Sequence, residues 1–220
     1  MTALAVLSGT FLTLSPVGFR LIDDMSGQAP IGLVQCRLEV SDGAGGWVPT
    51  GILASRSLGG IVIFPGLGRV ARRGLAGAQS QRYRASFDAE FYRPQYRVLQ
   101  EGLEFDVAPY NDAEPPPGLN GVPLDVVLVP ASNFPFPPEL RVLRGTVRFG
   151  SNAVSDAEVS RGNVDRTLTD ARGEYALPLR LPPLIGQITI DATDHRTGRV
   201  GHVDVNLPGA LGIGQPIAIQ

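Results

Sequence analysis

Two stretches of this 220-residue chain are written in the same order, and that order leaves little room for anything but β-structure. The first runs Phe19-Arg-Leu-Ile-Asp23, a polar turn, Ala29-Pro-Ile-Gly32, Gly60-Ile-Val-Ile-Phe64 and Tyr83-Arg-Ala-Ser-Phe-Asp-Ala89. The second runs Leu143-Arg-Gly-Thr-Val-Arg-Phe149, Ala153-Val-Ser-Asp-Ala157, Thr167-Leu-Thr-Asp-Ala-Arg-Gly-Glu-Tyr-Ala-Leu177 and Gln187-Ile-Thr-Ile-Asp-Ala-Thr193. Each supplies a strand, a tight turn, a strand, a Gly-centred hairpin and a further strand. The apolar residues come in short runs or alternate with polar ones, as half-buried strands require. In 82–91 the inward set is Tyr83, Ala85, Phe87, Ala89 and Phe91, with a wet face opposite. Helical periodicity is almost missing. The one stretch with room for a helix, 66–80, carries Gly66, Gly68, Gly74 and Gly77 and reads as a long loop.

The chain holds 27 Gly and 19 Pro, and they fall between the apolar runs, where β-turns need them. Segment 47–56 reads as one strand, paired through the turn at Leu58-Gly-Gly60 with a strand at 61–64. Segments 102–108 and 124–129 read as two more, separated by Asn111-Asp-Ala-Glu-Pro-Pro-Pro-Gly118, whose three prolines lack N–H groups and bar it from a central sheet. Residues 129–140, with Phe134-Pro-Phe136, form a stiff Pro/Phe-rich linker whose rings are expected to dock on a neighbouring sheet. Pro216-Ile-Ala-Ile219 reads as a strand closing the second sheet. The expected organisation is a first unit over 1–128, the linker 129–140, and a second unit over 141–220.

The second copy carries a family pattern. Arg144-Gly-Thr-Val-Arg148, Ala153-Val-Ser-Asp-Ala157 and Thr169-Asp-Ala-Arg-Gly-Glu-Tyr175 resemble the carboxypeptidase regulatory-like, or transthyretin-like, β-sandwich. The first copy keeps Ala29-Pro-Ile-Gly32 and Gly60-Ile-Val-Ile-Phe64 but lacks Thr-Asp before its glycine. The resemblance implies an all-β chain of two Ig-like or transthyretin-like β-sandwich domains in tandem, joined by the Pro-rich linker. Such modules occur in accessory proteins of phage tails and contractile injection particles. Asp170, Gly173 and Tyr175 are read as a structural turn: the Asp accepts backbone N–H groups, the Gly takes positive φ, and the Tyr enters the core. Some transthyretin-like enzymes open a purine-derived ring with a Tyr-Arg-Gly-Ser tail. The sequence in hand ends Gly214-Gln-Pro-Ile-Ala-Ile-Gln220, so the resemblance does not carry that activity over.

Chemistry-bearing constellations are scarce. Net charge is −2, which gives no global pull toward nucleic acid or an anionic membrane. All 19 basic residues are Arg. A GC-rich genome accounts for this, and so does a preference for bidentate contacts at interfaces. The single Cys36 permits no internal disulfide and reads as a small core or half-buried residue. His195 and His202 lie near Asp191, Asp194 and Asp204, a set in which a metal site is imaginable but a polar turn is the simpler reading. The loop Pro65-Gly-Leu-Gly-Arg-Val-Ala-Arg-Arg-Gly74 lacks the strand and helix of a phosphate loop, leaving Arg69, Arg72 and Arg73 as a protein-contact loop. No nucleophile elbow or Cys/His pair is present.

These observations lead to a non-catalytic structural or assembly subunit, and the resemblance implies that its particle is of the phage-tail or contractile-injection kind. It would have no cofactor and no small-molecule substrate, with other protein subunits as partners and neither nucleic acid nor a membrane span. In that reading segments 1–15 and 207–220 and the 66–80 loop make arm contacts with neighbours. The first residues lack the form of a signal peptide, so synthesis in the cytoplasm followed by incorporation into a particle is expected. The alternatives are a carbohydrate or cell-surface binding module, with Trp47, Tyr92, Tyr96 and Tyr110 as its rings, and a hydrolase using His195 or His202.

Overall fold

The computed structural model describes residues 15–57, 59–70, 79–111, 122–162, 164–181 and 185–220. The chain is mostly β-strand. Its first half forms β1 (Gly18–Asp23), β2 (Val34–Ser41), β3 (Trp47–Pro49), β4 (Ser55–Arg56), β5 (Ile61–Ile63), β6 (Gln81–Ala89), β7 (Tyr92–Pro94), β8 (Leu103–Val107) and β9 (Leu124–Pro130). The second forms β10 (Arg141–Phe149), β11 (Asn152–Ala153), β12 (Glu158–Arg161), β13 (Asp165–Leu168), β14 (Glu174–Leu179), β15 (Gly186–Asp194), β16 (Arg199–Leu207) and β17 (Gln215–Ala218). Two short 3-10 turns, Gln95–Val98 and Gly209–Gly212, follow β7 and β16. Among the described residues no helix is long and apolar enough to cross a membrane.

The duplication read from the sequence reappears in the wiring. One sheet of the first half runs β3-β2-β6-β8, and one sheet of the second runs β13-β12-β15-β16, with the same antiparallel partners in the same order. In the facing sheets β1 pairs antiparallel with β5 and parallel with β9, as β10 does with β14 and β17. The copies differ at the margins, where the first adds β4 and β7 and the second adds β11. Strands β8 and β9 thus belong to the first half, and β9 runs on through Pro130.

Alternation sets what each sheet buries. Tyr83, Ala85 and Phe87 of β6 point inward into the core that holds Phe19, which sits edge-on to Phe64, Phe87 and Phe105 at 6.1, 5.4 and 5.5 Å between ring centres. The linker rings join this core: Phe134 lies edge-on to Tyr92 at 5.3 Å, and Phe136 follows at 4.8 Å. The second core gathers Leu143, Val147, Val159, Tyr175, Leu177, Ile190, Val205 and Ile217.

Two expectations are corrected. Segment 47–56 is two strands in different sheets rather than one. Gly51 at φ +69° turns the chain, and Thr50 holds the bend through Leu38, its N–H and hydroxyl both donating to that carbonyl at 3.0 Å. Segment 207–220 is not a free arm: β17 lies along β10, and Ile217 and Ile219 are buried in the second core. Burying two isoleucines outweighs leaving this apolar tail for a neighbour, at roughly 1.5–3 kcal/mol each. Segment 1–14 and most of the 66–80 loop lie outside the described residues.

Cys36 stands in β2, half-buried against the first core. Burial pushes its thiol up to about 12. At pH 8 the folded chain then holds on the order of a thousandfold less thiolate than free cysteine. A thiol-disulfide reagent is expected to label Cys36 only as denaturant unfolds the protein. Rapid labelling of the native chain would contradict that.

Candidate functional site

The polar groups that the two halves bury are concentrated where they meet. Two turns with one spelling, Asp-x-x-Ser/Thr-Gly, enter this seam from opposite sides. In the turn at 23–27 the Asp23 carboxylate accepts the Met25 N–H at 2.9 Å and the Ser26 hydroxyl at 2.7 Å. Gly27, at φ +69°, donates its N–H back to the Asp23 carbonyl at 2.8 Å. The turn at 194–198 repeats this: Asp194 accepts the Arg196 N–H at 3.1 Å and the Thr197 hydroxyl at 2.6 Å, and Gly198 at φ +75° closes it at 2.8 Å. The left-handed glycine and the capping carboxylate are what this spelling encodes.

Each turn offers one charged side chain to the other half. Asp24 of the first half accepts from Arg166 of β13 at 2.6 Å, and its carbonyl accepts from Arg180 at 3.3 Å. Arg196 of the second half donates to the Arg97 carbonyl and lies 3.1 Å from Glu101. Near Arg196 sits Asp156, only 4% exposed and held at φ +58°. It receives the Arg93 guanidinium in a charge-assisted bond, with Arg97 at 3.4 Å and Arg196 at 3.7 Å. The Arg97 Nε is itself buried and makes no hydrogen bond of good geometry. Asp165, fully buried, is flanked by Arg161 at 2.5 Å and Arg180 at 3.3 Å and accepts the Arg180 N–H at 3.0 Å. Bonds to backbone carbonyls complete the seam, with the Thr167 hydroxyl donating to the Pro130 carbonyl at 2.9 Å and the Arg144 guanidinium donating to the Ser132 carbonyl at 2.8 Å.

Taking these charges from water costs several kcal/mol per ion, which their mutual attraction offsets only in good geometry. Arginines from both halves, Arg93 and Arg97 from the first and Arg196 from the second, converge on the one Asp156 carboxylate.

The Asp170 turn adjoins the same seam. Its Oδ1 accepts the N–H groups of Arg172 at 2.8 Å and Glu174 at 3.0 Å, while Oδ2 accepts the Ser132 hydroxyl at 2.9 Å. Gly173 takes φ +74°. Tyr175 is buried, and its hydroxyl donates to the Gln215 carbonyl at 3.0 Å, tying β14 to the segment that opens β17. Arg69 forms an isolated parallel bridge with Tyr110. Arg72 and Arg73 lie outside the described residues.

The histidines stand apart from one another in their surroundings. His202 faces Asp191 across β15 and β16, beside an open cleft of about 510 Å³ lined also by Thr193, Val200 and Gln220. His195 Nε2 lies 3.6 Å from Glu158. Among the described residues no group of three or more His, Cys, Asp or Glu is placed to hold a metal ion. Of the rings considered for sugar stacking, Tyr92 and Tyr110 are buried. Tyr96 is half-buried with its oxygen accepting the Phe87 N–H at 2.8 Å, and burial pushes its phenol up to about 12. Trp47 is capped by the Arg84 guanidinium 4.8 Å from its ring centre.

Compared with family models, curated proteins and solved structures, the chain returns no match.

Of the residues at this seam, the sequence reading singles out Asp194 and the adjoining Asp170 turn, but not Asp24, Asp156, Asp165 or their arginine partners. The paired Asp-x-x-Ser/Thr-Gly spellings were a signal open to discovery. The arginine partners were not, because Arg166 and Asp24 are 142 residues apart and no periodicity relates them.

Proposed function

We propose that this chain is a non-catalytic structural subunit: two transthyretin-like or Ig-like units locked into one block that holds neighbouring proteins in a larger particle of the phage-tail or contractile-injection kind. The observation that supports this reading is the seam. The chain commits the buried Asp156 to holding Arg93 and Arg97 of the first half, while Asp165 holds Arg180, which reaches Asp24, and a fixed block is what a load-transmitting joint requires. The particle class rests on the resemblance of the second unit to modules used there, and on short β-strands joined by long Gly/Pro segments.

The test is to tag the chain in its native host and isolate high-mass assemblies by sedimentation. It is expected in one fraction with tail-like structures under negative stain, at fixed stoichiometry to its neighbours. A chain that sediments only as free protein, whatever the growth condition, overturns the proposal.

A further inference from the structure

The sheet β13-β12-β15-β16 carries a bounded polar trough on its outward face. Register sets the floor: Arg166, Ser160, Asp191 and His202 stand side by side across the four strands, with Glu158, Thr193 and Val200 in the next row. Directly opposed residues share a face, and Val159, Ile190 and Val205 alternate with these and fill the core on the other side. At the usual strand spacing the first row spans about 14 Å. Two clefts open along it. One, of about 430 Å³, lies against the seam, where Asp24 and Arg180 meet Arg166, Ser160 and Glu158. The other is the cleft of about 510 Å³ beside His202. Its far end is lined by Gln220, held there by the two backbone bonds it exchanges with Val200 at 3.3 and 3.0 Å. Ser160 and Asp191, paired neighbours, connect the two clefts.

The polar groups of the trough are left open. Further along the same face the Thr189 hydroxyl donates to Asp204 at 2.6 Å. The Ser160, Asp191, Thr193 and His202 side chains, by contrast, make no hydrogen bond or ion pair with any described residue. They comprise two hydroxyls and an imidazole, which both donate and accept, and a carboxylate, which accepts. The nearby cations are committed, Arg166 to Asp24 at 2.6 Å and Arg180 to Asp165 and the Asp24 carbonyl, each at 3.3 Å. A phosphate or an acidic sugar would therefore meet the open Asp191 carboxylate with no guanidinium free of an acid to balance it. A peptide strand would meet side chains rather than a ladder, because the backbone bonds of these strands run within the sheet. An uncharged chain of hydroxyl groups meets neither objection, since each hydroxyl donates and accepts.

We propose that this trough binds a neutral oligosaccharide laid across the four strands. Asp191 accepts from sugar hydroxyls, and Ser160, Thr193 and His202 supply bonds of both senses. The rings named from the sequence for sugar stacking take no part. The inference goes beyond the particle reading and holds for the chain in isolation.

The test is isothermal titration calorimetry of the full chain with cellotetraose, maltotetraose and mannotetraose at millimolar concentration. At least one is expected to bind, with an affinity that changes less than about twofold between about 50 and 500 mM salt, because the ligand carries no charge to screen. Asp191→Asn keeps the side chain's shape, removes a charged acceptor that holds no partner in the fold, and should weaken binding about tenfold. Thr193→Val should weaken it as well. Gln187→Ala, on the same face beyond the trough, should leave it unchanged. Failure of all three sugars to bind overturns the proposal. So does binding that Asp191→Asn leaves intact, or a preference for tetragalacturonate over every neutral chain.

Discussion

Asp156→Asn is expected to lower the free energy of unfolding by about 3–5 kcal/mol and to split one unfolding transition into two. Asn keeps the shape of the side chain and tolerates the φ of +58°, so the substitution removes charge and little else. What remains is Arg93, Arg97 and Arg196 converging on a neutral amide, with Glu101 left as an acid near Arg97 and Arg196. The penalty is the desolvation those guanidiniums no longer recover, and it falls on the seam rather than on either core. The chain carries its own reporter. Trp47, the single tryptophan, lies in the first half, whereas far-UV circular dichroism sees both. In the wild type the two signals should follow one denaturation curve, as a cooperative block requires. In the variant the tryptophan curve should separate from the dichroism curve. Coincident curves with a shift below about 1 kcal/mol would mean the seam is not what couples the halves. Glu104→Gln, which breaks the exposed Arg82–Glu104 pair, is the control and should leave the curves in place.

Asp156 also shows where sequence reading stops. Inside the second copy it is one residue of Ala153-Val-Ser-Asp-Ala157, and nothing in that run says its partners come from residues 93 and 97. Patterns of period two report which face of a strand is buried, and they reported β6 well: Tyr83, Ala85 and Phe87 are the inward set. They say nothing about what lies over the other face. In β14 the outward-pointing Ala176 and Pro178 are buried along with Tyr175, Leu177 and Leu179, so the strand is covered on both sides and its alternation is erased. The Asp170 turn was legible because its backbone contacts, to Arg172 and Glu174, are local. The tail at 207–220 was legible in one respect, as a strand at Pro216-Ile-Ala-Ile219, and misread in another, as an arm. Whether an apolar strand is used at home or lent to a neighbour depends on a vacancy beside β10 that composition does not record.

The fit of that strand leads to the second large effect, at Gly145. This glycine sits mid-β10, between Tyr175 of β14 and Gln215 of β17. Its φ is not in the left-handed region, so backbone freedom does not explain it. Close approach does: a Cβ there would lie 1.9 Å from the Gln215 carbonyl oxygen and 2.7 Å from the Tyr175 hydroxyl. The first of these is backbone and cannot swing aside as a rotamer would. Gly145→Ala must therefore push the start of β17 off β10, breaking the Tyr175 to Gln215 bond and loosening Ile217 and Ile219 from the core. A loss of about 3 kcal/mol or more is expected, at the upper end for overpacking. Tyr175→Phe alone, which deletes the hydroxyl and leaves the shape, should cost about 1 kcal/mol. Adding Tyr175→Phe to Gly145→Ala should recover little, because the carbonyl collision remains. Gly201 presses on the same segment from β16, where a Cβ would meet the Ala218 carbonyl at 2.2 Å, so Gly201→Ala should resemble Gly145→Ala in size. Hydrogen exchange localises the damage: amides of 215–219 should lose protection in both variants while those of β6, in the other half, keep theirs. If Gly145→Ala instead melts like the wild type with 215–219 still protected, the close packing of β17 on β10 is not what holds the tail in place.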